Sequence, residues 1–235
     1  MDVAPRRRRL LWTAVIFLST IGVVVAARRI VVLVPVVSGG FHPAAVAPAA
    51  NPRIEQLRAT DDLFAAHPRL TLIHIIPGLL FMLLGPFQFS RTIRRKYPKW
   101  HRVNGRIFVG CAYVVGISAL VMSVAMPAIG GVNQAVATTL FGILFLIALT
   151  KAFRHILRGE IPQHREWMIR AYAIGLAVAT IRPIIGFFFA TSPLTGLTPH
   201  EFFGTAFWLG FTVQAIAAEV YLRATAPARL TASPS

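Results

Sequence analysis

The chain has 235 residues, of which 56% are hydrophobic and only 14% charged. Soluble domains carry about a quarter charged residues, so this composition excludes a soluble globular enzyme and a disordered tail. The formal charge of +16, from 24 Lys and Arg against 8 Asp and Glu, would suggest nucleic acid in a soluble protein. Here the basic residues form short clusters between long apolar runs, so a lipid bilayer with anionic headgroups replaces nucleic acid as the expected partner.

In chain order, the runs long enough to cross hydrocarbon as helices (about 20 residues) are six. The first is Leu10–Ala27, interrupted by Arg28 and Arg29 and continued by Ile30–Val37. Then follow Leu70–Phe89, Ile107–Met126, Val132–Thr150, Ala171–Ala190 and Phe202–Leu222. The pattern predicts an all-α, polytopic membrane helix bundle with six transmembrane helices. Its parts are a basic N-terminus with the first span (1–37), an outer loop (38–68), a five-helix membrane core (69–223) and a mobile tail (224–235). Gly39, Gly40, Pro43, Pro48 and Pro52 break the outer loop, with a short helix expected around Ile54–Ala65.

The arginines at 6–9, followed by an apolar run ending Val25-Ala26-Ala27, also resemble a cleaved secretory signal. The apolar Ile30–Val37 just beyond favours an uncleaved first span. Cys111, the single cysteine, lies within an apolar run. It excludes an internal disulfide, a Cys-based zinc site and c-type haem attachment.

Lys and Arg are retained in cytoplasmic loops. With the N-terminus inside, 18 of the 24 basic residues fall in inner segments, and only Arg53, Arg58 and Arg69 in outer loops. Both termini are therefore expected in the cytoplasm and the bundle in the inner cell membrane.

Chemistry must come from the histidines and the intramembrane charges. His74 lies within the second span, and His101 and His164 open the third and fifth. At 100° per residue, His101 shares a face with Gly105, Ala112, Gly116, Ala119 and Ser123. His164 shares one with Met168, Ala171, Gly175, Ala179, Arg182 and Gly186; His74 shares one with Gly78, Phe81, Gly85 and Gln88. Such faces let helices approach closely, the reading the composition favours. They would also leave room for a planar cofactor, a b-type haem whose iron takes its axial nitrogens from His101 and His164. Arg102, Arg106, Arg165 and Arg170 recur beside these histidines and are candidates for a phosphate, carboxylate or propionate. The basic run from Arg91 to Lys99 reads as interfacial charge with no chemistry.

Arg182 is costly in hydrocarbon and marks function or a specific partner. No acidic residue matches its depth, so backbone carbonyls, Gln88, Gln134, water or an anionic ligand must satisfy it. Glu219 is better placed for Arg170 or Arg106.

The segments HIIPGLLFMLLGPFQF (74–89), HRVNGRIF (101–108) and HREWMIRAY (164–172), with Arg182-Pro183 downstream, resemble a family of multi-pass bacterial membrane proteins, domain of unknown function 2306. The resemblance covers about residues 67–222. It implies a polytopic membrane fold and, having no established activity, supplies no catalytic residue. The histidine layout is loosely similar to membrane b-type cytochromes but lacks their histidine pairs within the spans. Three function classes follow: a haem-binding redox or haem-handling protein, a small-molecule transporter built on Arg182 and the prolines at 77 and 183, or a non-enzymatic scaffold or assembly factor. Each is compatible with a membrane-protein partner or a homo-oligomer.

Topology has a direct check. Cysteines placed in Gly39–Pro68 should react in whole cells with an impermeant thiol reagent, and cysteines in Arg91–Lys99 should not. The reverse labelling would overturn the orientation.

Overall fold

The computed structural model describes residues 5–38 and 60–225, and all regular structure among them is helical. The mobile tail and most of the outer loop expected from the sequence lie outside the described residues. Seven helices follow one another: α1 Pro5–Val37, α2 Pro68–Phe89, α3 Arg91–Lys96, α4 Pro98–Ala125, α5 Gly131–Leu157, α6 Ile161–Thr195 and α7 Pro199–Ala224. A further helical segment covers 60–65. All but the six-residue α3 are long and apolar enough to cross a membrane. The chain is a six-span membrane protein.

Local chemistry sets the ends. Proline occupies the first turn of α2, α4, α6 and α7, where its missing N–H is not needed. Ser90 caps α3 by accepting from the Ile93 amide. Thr198 and Glu201 cap α7 reciprocally. Gly196, at φ 70°, ends α6 in the left-handed conformation.

Two helices are longer than their apolar runs. α4 begins at Pro98, nine residues before Ile107, and α6 at Ile161, ten before Ala171. The added turns keep their charges at the edge of the bundle. Lys151 lies 4.2 Å above the Trp167 ring, and Arg170 makes two bonds to Glu219, at 2.6 and 3.2 Å. With 35 residues, α6 is about 52 Å long against roughly 30 Å of hydrocarbon, so part of it projects beyond the bilayer or the helix tilts.

The spanning helices form a closed ring. α1 packs on α2, α2 on α4, α4 on α5, α5 on α6, and α6 back on α1; α7 fills the groove between α5 and α6. We call the end carrying α3 and the α5–α6 turn the basic end, and the end carrying 60–65 the loop end.

Towards the basic end the ring is filled by aromatic side chains. Phe81 stacks on Phe108 at 4.6 Å and meets Phe145 edge-on at 5.9 Å and Tyr172 at 5.6 Å. Tyr172 also stacks on Phe89 and shares a 3.0 Å hydrogen bond with Ser19 of α1. Glycines admit these rings. A Cβ on Gly175 would lie 2.6 Å from Phe81, and one on Gly85 would lie 2.7 Å from the Tyr172 oxygen. Gly186, expected to face the interior, is exposed with nothing within 4 Å.

Gly85→Ala and Gly175→Ala should each destabilise by about 1–3 kcal/mol through overpacking, while Gly186→Ala should leave stability unchanged or slightly raised. Thermal unfolding in detergent checks this contrast. Equal behaviour of the three variants would mean that Tyr172 and Phe81 are not seated on these glycines.

Candidate functional site

Above the aromatic filling, towards the loop end, the ring borders a partly open cavity of about 280 Å³ to which all six spanning helices contribute. This is near the lower end of the range for small-molecule sites, about 300–1,000 Å³. Most of its wall is apolar, from Gly22 and Val25 of α1 to Phe207 and Phe211 of α7. Leu63 and Phe64 of the 60–65 segment, with the α4–α5 turn at 127–129, line its loop end.

The polar atoms on this wall are few. His74 shares a 2.9 Å hydrogen bond through Nδ1 with Ser118, whose hydroxyl also lies 2.6 Å from the Val114 carbonyl. Ser123 pairs with Thr139 at 3.0 Å. Gln134 accepts from the Gly130 amide at 2.8 Å, which commits its oxygen to the turn. Arg29 reaches the cavity from α1, beneath a clamp. Asp61 receives Arg28 through two bonds, at 3.0 and 2.7 Å, and pairs with Arg29 as well. The Arg29 guanidinium lies 4.3 Å from the Phe64 ring centre. A break in the first apolar run and an acidic loop residue are therefore one structure, tying α1 to the roof of the cavity.

Arg182 is the exception. Its side chain lines the cavity, and its Nε is buried with no hydrogen-bond partner among the described residues. Neither amide suggested by the sequence serves it: Gln134 caps the turn, and Gln88 lies at the far end of α2, 3.4 Å from the His101 carbonyl. At the roof, Asp61 is held by Arg28 and Arg29. Among the described residues, the buried Oδ1 of Asp62 has no partner, and the cavity wall includes no Asp or Glu. Arg29 lies within electrostatic reach of Arg182, so the cavity presents positive potential. Pro183 adds an acceptor beside it, because a helix-interior proline leaves the carbonyl four residues earlier, that of Ala179, without its usual donor.

The remaining sequence candidates gather at the basic end, some 20 residues away along α6. His164 bonds through Nδ1 to the Ala152 carbonyl at 2.9 Å, and His101, within electrostatic reach of His164, has a buried Nδ1 with no partner. Arg102 and Arg106 are exposed and face away from the interior. Arg170 is engaged by Glu219 and, at 3.7 Å, by Glu166, the pairing its position in the sequence suggests. The room a planar macrocycle needs is taken: Gly105 lies against Gln88, Gly116 against Leu146 and Phe145, and Gly175 against Phe81. The haem reading finds no support in this geometry. No group of three or more His, Cys, Asp or Glu able to hold a metal ion occurs among the described residues.

Sequence reasoning singled out His74 and Arg182 but not their common cavity, which needs the ring closure between α6 and α1. It also missed Ser118, Arg29 with Asp61, and Asn104, whose buried Nδ2 has no partner. The helical spacing of Asn104 and His101 (i, i+3) was a signal that could have found it.

Neither a curated protein nor a solved structure matches the chain. A family model described as "Predicted membrane protein (DUF2306)" matches residues 71–222, which hold five of the six spans, His74 and Arg182. The chain belongs to this family of membrane proteins.

Proposed function

We propose that the protein binds a small organic anion with an apolar body inside its helix bundle, in the inner membrane, and carries it as a transporter of the small-molecule class. The observation that supports this is Arg182, a cation with its Nε buried and unpartnered, lining a mostly apolar cavity whose described wall carries no carboxylate. Apolar lining with a few convergent polar groups is the usual form of a small-molecule site, and a guanidinium prefers a planar carboxylate to a point anion. The ligand class is therefore an amphipathic carboxylate, its head on Arg182 and its body among the cavity's Phe, Val and Met side chains. The helices that supply His74 and Arg182 run continuously through interior prolines at 77 and 183, each of which removes one backbone hydrogen bond near the cavity.

Octanoate is a suitable probe. It should raise the melting temperature of the detergent-purified protein in a saturable manner, octanol should have little effect, and Arg182→Gln should lose the octanoate response. Labelled octanoate should enter vesicles reconstituted with wild type but not with Arg182→Gln. An equal response to octanoate and octanol, or its survival in the variant, would remove Arg182 from ligand binding.

Stability should move the other way. Exchanging an unpaired buried cation for an apolar side chain of similar volume removes a desolvation cost. Without added ligand, Arg182→Met should be more stable than wild type by on the order of 1–3 kcal/mol, measured by thermal unfolding. A less stable variant would show that Arg182 has a protein partner it cannot lose.

A further inference from the structure

His74 and Arg182 lie at one depth of the cavity. The Phe81 ring of α2 enters the space left by Gly175 of α6, where a Cβ would come within 2.6 Å of it. The two helices run in opposite directions, α2 starting and α6 ending at the loop end. His74 precedes Phe81 by seven residues and Arg182 follows Gly175 by seven. Each therefore stands two turns, about 10 Å, beyond that contact towards the loop end. In the ring α1 separates α2 from α6 on one side, and α4 and α5 separate them on the other. His74 and Arg182 thus border the cavity from opposite walls at the same level.

The hydrogen bonds around His74 fix what its ring offers. Ser118 has one proton to give, and its oxygen lies 2.6 Å from the Val114 carbonyl and 3.1 Å from that of Val115, groups that can only accept. Towards His74 the Ser118 oxygen is then the acceptor, and Nδ1, at 2.9 Å, carries the proton. Ser118 is buried and does not line the cavity, so Nδ1 is turned into the contact between α2 and α4. In the neutral ring the other nitrogen, Nε2, is a lone pair, and no described residue donates to it. The cavity offers guanidinium donors on one wall and a single acceptor on the other.

We infer that His74 selects the ligand, which carries, close to its carboxylate, a hydroxyl that donates to Nε2. This rests on the reading of Arg182 as the partner of the carboxylate and narrows the substrate class to hydroxy-carboxylates with an apolar body. The common depth of the two residues puts the hydroxyl near the head rather than at the end of the chain. A carbonyl, ether or fluorine in its place brings no proton and leaves Nε2 unpaired, and an unpaired polar atom is what separates ligands of nearly equal shape. Ser118 is a positioning residue: it holds the tautomer and touches no ligand.

Racemic 3-hydroxyoctanoate and 3-fluorooctanoate match closely in size and differ in the donor. Each is titrated, beside octanoate, into the detergent-purified full-length protein, with the melting temperature as the readout. Wild type should bind the hydroxy acid about five- to tenfold more tightly than the fluoro acid, as for one net hydrogen bond. That ratio should fall to near one in His74→Phe, which keeps a planar ring without the lone pair. It should also fall in Ser118→Ala, where the ring is free to turn. A ratio near one in wild type, or a preference that survives in both variants, overturns the inference and leaves octanoate binding at Arg182 standing. A wild type that responds to none of the three acids removes the reading of Arg182, and this inference with it.

Discussion

The Phe81 ring is where four spanning helices meet. It stacks on Phe108 of α4, touches Phe145 of α5 and Tyr172 of α6, and enters the space left by Gly175. Lipid tails are as apolar as these side chains, so no hydrophobic gain holds the helices together; close packing must do it. Tyr172 extends the contact to α1 through Ser19, which completes the ring. The cavity exists because this filling occupies only the part of the ring towards the basic end. Past Phe81 the wall includes several small residues, Gly78, Ala119, Ser123 and Gly142, which leave room beside its Met and Phe side chains.

Hydrocarbon offers no water to polar groups, and the chain answers in graded ways. Near the ends, full charges are closed into pairs, Arg170 with Glu219 and Arg28 and Arg29 with Asp61. Deeper, neutral groups are matched across helices, as in His74 with Ser118 and Gln214 with Thr180 at 2.7 Å. Arg182 breaks this grading at depth, being charged and with its Nε unpaired among the described residues; at the loop end the buried Oδ1 of Asp62 is also without a partner among them. Local rules broken without compensation within the chain are where function concentrates.

Much of this was legible before any coordinates. The six spans follow from apolar runs because a membrane helix carries its whole signal in local sequence. The first turns of α4 and α6 lie outside the apolar runs, yet His101 and His164, read as opening these helices, lie within three residues of their starts at Pro98 and Ile161. Gly85, Gly116 and Gly175 were visible as small-residue faces; that Tyr172, Leu146 and Phe81 fill them depends on which helices are neighbours. The Arg29–Asp61 clamp joins positions 32 residues apart across a loop, a separation that no helical periodicity reports.

The lack of a carboxylate on the cavity wall, among the described residues, has an electrical consequence. Arg29 shares the single charge of Asp61 with Arg28, whereas the charge of Arg182 meets no carboxylate on the described wall. A monovalent anion seated there would cancel it, so the loaded protein would carry no net charge at that depth and the unloaded one would carry a full elementary charge. A membrane potential of 100 mV acts on such a charge with about 2.3 kcal/mol over the full thickness of the bilayer. Any rearrangement that shifts Arg182 through the field would then be electrically silent with ligand bound. The same movement in the unloaded protein would generate current, placing the voltage dependence of the cycle in its return step.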